Sequence, residues 1–278
     1  MSVWPSPEPP LTYDLTVLKS PGLQAFAVLV ACSFVLLPSH LIGAPVAVRH
    51  KEGVAHGFLV LRALNGKTLA VGDLIQVTRD DQVTIEFALR FKDGSIHDGT
   101  TIYSQREFLR LVSDHLVQKG PSFPHPMEVS IDATKGTVVV HYTDDGKEKV
   151  QTEKLDLPED AANGLILNLL RNIEPEIPQT TVSLVAATPK PRVVKLVISS
   201  NGQRPFSVGG SPRKATDFVI KVDIGGVAGA VAPLVGKKPP DTHVWVLGGE
   251  APTIVRFEGA LYEGGPIWRI EPASLVWH

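Results

Sequence analysis

Cysteine is nearly missing from this sequence: Cys32 is its one thiol. A lone cysteine excludes an internal disulfide framework and cannot build a thiolate metal site. An excess of one charge is missing too. Lys and Arg number 27 against 29 Asp and Glu, a formal net charge of -2, so no surplus of positive charge points to a nucleic acid partner. The chain also lacks the series of long apolar spans that a polytopic membrane protein needs, as well as any internal repeat or low-complexity tract. What remains, 278 residues with 43% hydrophobic and 20% charged, is a globular composition with enough length for a sizeable core.

One apolar run stands near a terminus, Leu23 to Leu37, with Lys19 on its N-terminal side. Such a run reads as an export signal or an anchor helix preceded by a proline-rich lead, and it places residues 1–44 apart from a β-rich domain over 45–278. Leu29-Val30-Ala31-Cys32 is similar to a bacterial lipobox, which makes Cys32 a candidate lipidation site. Phe34 to Leu37 continue the apolar run past that cysteine, and Ile42-Gly43-Ala44-Pro45 is a poor cleavage site. Removal, retention and lipidation of the segment are therefore all open, as is a start further downstream. The expected location is the periplasm or cell envelope, with membrane association through this segment.

After Gly43 the texture changes to short alternating runs broken by Gly, Asp and Asn. Asn65-Gly66 between two apolar runs predicts a hairpin, because both turn positions favour positive φ. Val83, Ile85, Phe87, Leu89 and Phe91 alternate with polar neighbours, which predicts a strand with one buried face, turned at Asp93-Gly94. The period of Arg106 to Val112 fits a helical turn and a strand equally. Met127 to Ala133, Thr137 to Thr143 and Glu148 to Leu157 predict a three-stranded meander with turns at Lys135-Gly136 and Asp145-Gly146. Pro158 to Ile173 reads as a helix, with proline and two acids in its first turn. Strands resume at Thr180 to Ala187, Arg192 to Ser199, Thr216 to Ile224, Thr242 to Leu247 and Thr253 to Leu261, with a turn at Asn201-Gly202. The fold class is mainly β (α+β): a curved antiparallel sheet or half-barrel of about ten strands with one covering helix. Its one candidate sub-boundary is the proline-rich break near 174–179.

No reaction is specified by a motif. The histidines form no H-E-x-x-H or other tight pair, so no metal site and no cofactor is expected. His97-Asp98, Asp114-His115 and Asp241-Thr242-His243 put carboxylates beside imidazoles, a pattern open to acid-base use but commoner as solvated loop pairs. Gly236-Lys237-Lys238 lacks the hydroxyl of a phosphate loop, and no G-x-S-x-G elbow is present. Asp80-Asp81 and Asp144-Asp145 stand beside turn signals, where short acids cap backbone groups. The most distinctive segment is Ile224 to Asp241, a glycine-rich apolar connection that ends on a basic step. Gly225, Gly226, Gly229, Lys237 and Lys238 are candidates for a lip against lipid headgroups, and Trp245, Trp268 and Arg269 for the lining of the same pocket.

The layout of long alternating strands, mid-chain helix and export segment resembles the half-barrel of bacterial lipoprotein localisation factors. Gly225 to Asp241, with Phe257-Glu258-Gly259 and Tyr262 to Arg269, is similar to the ending of an exported bacterial family without an assigned activity. The resemblance implies that an apolar small molecule or lipid is held in the curved sheet, and it implies no catalytic residues. The expected function is a non-enzymatic envelope protein that binds such a ligand. A structural or protein-binding envelope adaptor is the alternative, and a hydrolase using loop His and Asp residues is the third reading.

Overall fold

Alternation and turn chemistry together lay out a long meander. The structure, a computed structural model, describes residues 43–208, 211–223 and 239–273, all within one compact unit, Leu41–His278. Strands β1 (Ala55–Ala63) and β2 (Thr68–Arg79) join at Asn65-Gly66, where Gly66 has φ 87°. β3 (Gln82–Phe91) and β4 (Ile96–Gln105) join at Asp93-Gly94, and the Asp93 carboxylate accepts from Ser95 N at 2.9 Å. β5 (Leu109–Lys119), β6 (Met127–Asp132), β7 (Thr137–Asp144) and β8 (Lys147–Lys154) complete the first half. The ambiguous Arg106 to Val112 segment thus enters a strand. A crossover leads to β9 (Thr180–Ala186), followed by β10 (Arg192–Val208), β11 (Ser211–Asp223), β12 (Thr242–Leu247), β13 (Thr253–Gly259) and β14 (Trp268–Pro272).

These fourteen strands form one antiparallel, curved and unclosed sheet in the order β8-β7-β6-β5-β4-β3-β2-β1-β14-β13-β12-β11-β10-β9. The first and last of these strands meet in the middle, and the edges among the described residues are β8 and β9. Side chains from β3 to β7 and from β9 to β12 share one core with the crossover, including Val83, Tyr103, Val140, Leu165, Leu169, Ile198 and Phe218. The sheet therefore folds its two wings over the crossover, which occupies the inner face. Val83, Ile85, Phe87, Leu89 and Phe91 all point inward, as their alternation predicts.

Two expectations need correction. The crossover helix is far shorter than Pro158 to Ile173: a 3-10 turn at Asn163–Leu165 runs into α1 (Ile166–Asn172). The first turn is lost because its backbone pairs with β9. Ala162 N donates to Ser183 O at 2.8 Å, and Ser183 N donates to Asp160 O at 3.1 Å, a parallel bridge that covers the β9 edge. Asp160 also leaves the helix start, since its buried carboxylate accepts from Ser183 Oγ at 2.7 Å and Lys195 Nζ at 3.2 Å. Asn201-Gly202 is a bulge and not a turn: Gly202 takes φ 82°, yet pairing with β11 resumes at Gln203 and continues to Val208.

Candidate functional site

Inside the wings, polar groups gather where α1 meets the strands. Glu52, just before β1, lies buried and bonds Arg171 Nη1 through Oε2 at 2.5 Å. Gln76 Nε2 donates to the same oxygen at 3.1 Å, and Asn168 Nδ2 donates to Gln76 Oε1 at 3.0 Å. Gln105 clamps the Glu52 backbone from both sides, accepting from its N–H at 2.6 Å and donating to its carbonyl at 3.1 Å. Glu52 Oε1 and the Tyr103 hydroxyl are the buried polar atoms without a partner among the described residues. Burial, reinforced by the nearby Glu52 carboxylate, pushes the Tyr103 hydroxyl well above the ordinary phenol range. The network cross-links the segment before β1 with β2, β4 and α1 beneath the sheet. It is a tie between elements, buried except at the Arg171 side chain, which stays partly exposed.

Trp268 and Arg269 were candidate neighbours in one pocket, and adjacency along β14 sends them to opposite faces. Trp268, 6% exposed, packs in a second inner cluster with Phe91, Phe123 and Tyr262. His97 joins that cluster edge-on to Phe87, and burial lowers its pKa to about 4. Gln118 Nε2 donates to His97 Nδ1 at 2.9 Å and to Leu261 O at 2.7 Å, fixing the neutral ring. Asp98 points away from His97 and pairs with Arg90. Likewise Asp114 turns inward to accept from Thr101 at 2.6 Å, and His115 turns outward to Glu128 at 3.3 Å.

Trp245 and Arg269 stand on the outer face instead. The Arg256 guanidinium lies between the rings of Trp245 and Phe206, 5.5 and 5.6 Å from their centroids, and Glu271 holds it at 2.8 Å. Arg269 donates to Glu258 at 2.7 Å. His243 stacks on Trp245 and takes its carboxylate from Asp217, at 2.9 Å, while Asp241 pairs with Lys221. Asn201 Nδ2 donates to the second Asp217 oxygen at 2.9 Å, so the carboxylate is fully used. This is the geometry of an oriented imidazole, but no hydroxyl or thiol among the described residues is hydrogen-bonded to it. Gly225, Gly226, Gly229, Lys237, Lys238 and Cys32 lie outside the described residues, as does the N-terminal apolar run.

The outer face of β1 and β2 carries the feature that sequence reasoning missed. Side chains alternate outward at Phe58 and Val60 along β1, with Val54 just before it, and at Val71, Ile75 and Val77 along β2. Val54 is 77% exposed, Val71 56% and Phe58 50%. The inner face of the same strands buries Leu61 and Ala70, so both faces are apolar. The signal was available: Phe58-Leu59-Val60-Leu61 is an unbroken apolar run where a half-buried strand should alternate. His56 Nε2 holds Asp73, the one carboxylate within the stripe, at 2.9 Å. An open depression of about 580 Å³ lies at the β2–β3 turn between Arg79, Ser104, Arg106 and Phe108. In its lining Asp81 takes both Arg106 and the neighbouring Lys51, and those bonds lower its pKa.

Among the described residues, no group of three or more His, Cys, Asp or Glu side chains is placed to hold a metal ion. No helix there is long and apolar enough to cross a membrane. Compared with known proteins, the chain matches no family model and no curated protein sequence.

Proposed function

We propose that this chain is a non-enzymatic binding module of the cell envelope, whose outer β1–β2 face docks a protein partner. The exposed apolar stripe carries this reading. Monomeric surfaces scatter their apolar residues, and a contiguous rimmed patch on a sheet face marks an interaction site. The stripe sits on central strands, so a partner must pack against the face; it cannot add a strand to an edge. The inner face, where the lipid reading would put its ligand, is filled by α1 and the side chains around it. Of the histidines in the hydrolase reading, His97 is buried with Asp98 turned away from it, and His243 is oriented by Asp217 with no hydroxyl or thiol hydrogen-bonded to it among the described residues. Location in the envelope rests on the Leu23 to Leu37 run.

A photo-crosslinking amino acid placed at Phe58 in the full chain, and irradiated in cells, tests the reading. A discrete protein adduct is expected at position 58, and none from a control site on the outer face of β8. Adducts to lipid alone, or equal yields at both sites, would overturn it.

A further inference from the structure

We infer that the partner on this face is a second copy of the chain, stacked about a two-fold axis that runs along the strands between β1 and β2. This inference rests on the docking reading above and assigns its occupant. The argument is one of register. Val60 pairs directly with Val71, Val71 with Arg90 on β3, and Val60 with Glu271 on β14. Across the outer face the row therefore reads Arg90, Val71, Val60, Glu271: basic, apolar, apolar, acidic. A two-fold axis along the middle of the row lays it on its own reverse. Val71 then faces Val60 of the other copy, and Arg90 faces the other copy's Glu271 on both rims. In this row the charge pattern is antisymmetric about the line that bisects it, the relation an isologous contact requires, and one row along Asp73 lies beside the other copy's Phe58 with His56 as its own counter-charge.

The flanking charges extend the match. Arg90 is held in its own chain by Asp98, and Glu271 by Arg256. Stacking gives the order Asp98, Arg90, Glu271, Arg256 across each rim, four charges of alternating sign. Two sheets packed face to face lie about 10 Å apart, a gap that an arginine and a glutamate span together. An anionic membrane offers no alternation of sign, so half of each rim would be repelled. A polyanion fails for the same reason. Self-association pairs Arg90 with Glu271 on both rims of this row.

The test uses two differently tagged full-length copies, co-expressed and purified through one tag. Wild-type copies are expected to copurify. Arg90→Glu in both copies, or Glu271→Arg in both, places like charges together on each rim and should cut recovery of the second tag at least tenfold. Pairing one Arg90→Glu copy with one Glu271→Arg copy restores opposite charges at both rims and should restore recovery. Phe58→Ser in both copies should abolish it. Thermal melts of each variant, with a single cooperative transition, exclude misfolding as the cause of loss. Wild-type copies that do not copurify, like-charge variants that copurify undiminished, or a mixed pair that fails to recover would each overturn the inference. If copies do not copurify but position 58 still crosslinks to a different protein, the docking surface stands and its occupant is that protein. If position 58 yields no protein adduct, the docking surface falls as well.

Discussion

The imidazole of His97 is enclosed by Phe87 and Phe123 and receives a hydrogen bond from Gln118 on Nδ1. Burial in this apolar pocket disfavours the charged ring, so the folded pKa falls from 6.5 to about 4. The sign follows from which state binds the proton. Below pH 6.5 the unfolded chain takes up a proton that the folded chain refuses, so folding stability is full above that pH and is lost progressively toward pH 4. The loss amounts to about 3 kcal/mol at the lower limit. Asp114 works in the opposite direction, since burial raises its carboxyl and the folded state takes its proton first as the pH falls through the carboxylate range. Urea unfolding at a series of pH values should therefore show a steeper decline between pH 6.5 and 4 in the wild type than in His97→Gln. Equal slopes would show that His97 titrates normally in the folded protein.

At the scale of elements, the crossover was the part of the chain least legible in sequence. Its acids and proline signal a helix start, but Asp160 is needed by Ser183 and Lys195, and neither need is visible locally. The hairpins were legible because their turn residues act within four positions, as at Gly66, Gly94, Gly136 and Gly146, all with positive φ. Asn201-Gly202 shows the limit of that signal: the same dipeptide serves a bulge when the strands on both sides keep their pairing. Gly164 depends on long-range contact. A Cβ there would lie 1.8 Å from Thr101 Oγ1 and 2.4 Å from Asp114 Oδ1, so only glycine lets the 3-10 turn settle on β4 and β5. Gly164→Ala should lower stability by about 1 to 3 kcal/mol, since these neighbours hold each other and have no free direction to move. Chemical denaturation measures it, and a neutral result would mean that the turn sits higher above the sheet.

For the whole molecule, the strand order decides where the sheet is vulnerable. The β9 edge is covered by Asp160 to Ala162. The β8 edge has no neighbour among the described residues and is blunted by charge, with Lys147, Glu148, Lys149, Glu153 and Lys154 in eight residues. The joint between β1 and β14 has no such protection, because it is meant to be internal. Truncation before Trp268 would turn β1 into an edge with Leu59, Val60 and Leu61 in its middle. That variant should form aggregates rich in β structure under conditions where the full chain stays dispersed, as followed by light scattering. Dispersed, folded truncated chains would show that β14 is dispensable. The candidate site follows the same logic. The sequence pointed to polar and glycine-rich segments, where chemistry usually sits. The outer stripe is legible only once β1 and β2 are known to be central, since an apolar run on a central strand is normally read as core.

The neighbours at the centre of the sheet are also the first and the last of the described strands to leave the ribosome. Roughly 200 residues separate them, which at bacterial or eukaryotic speeds of about 5 to 20 residues per second is a wait of about 10 to 40 s. Throughout that interval β1 presents a row of unmet backbone donors and acceptors to anything nearby. The sheet can close at its centre only once the strand at Trp268–Pro272 has been made.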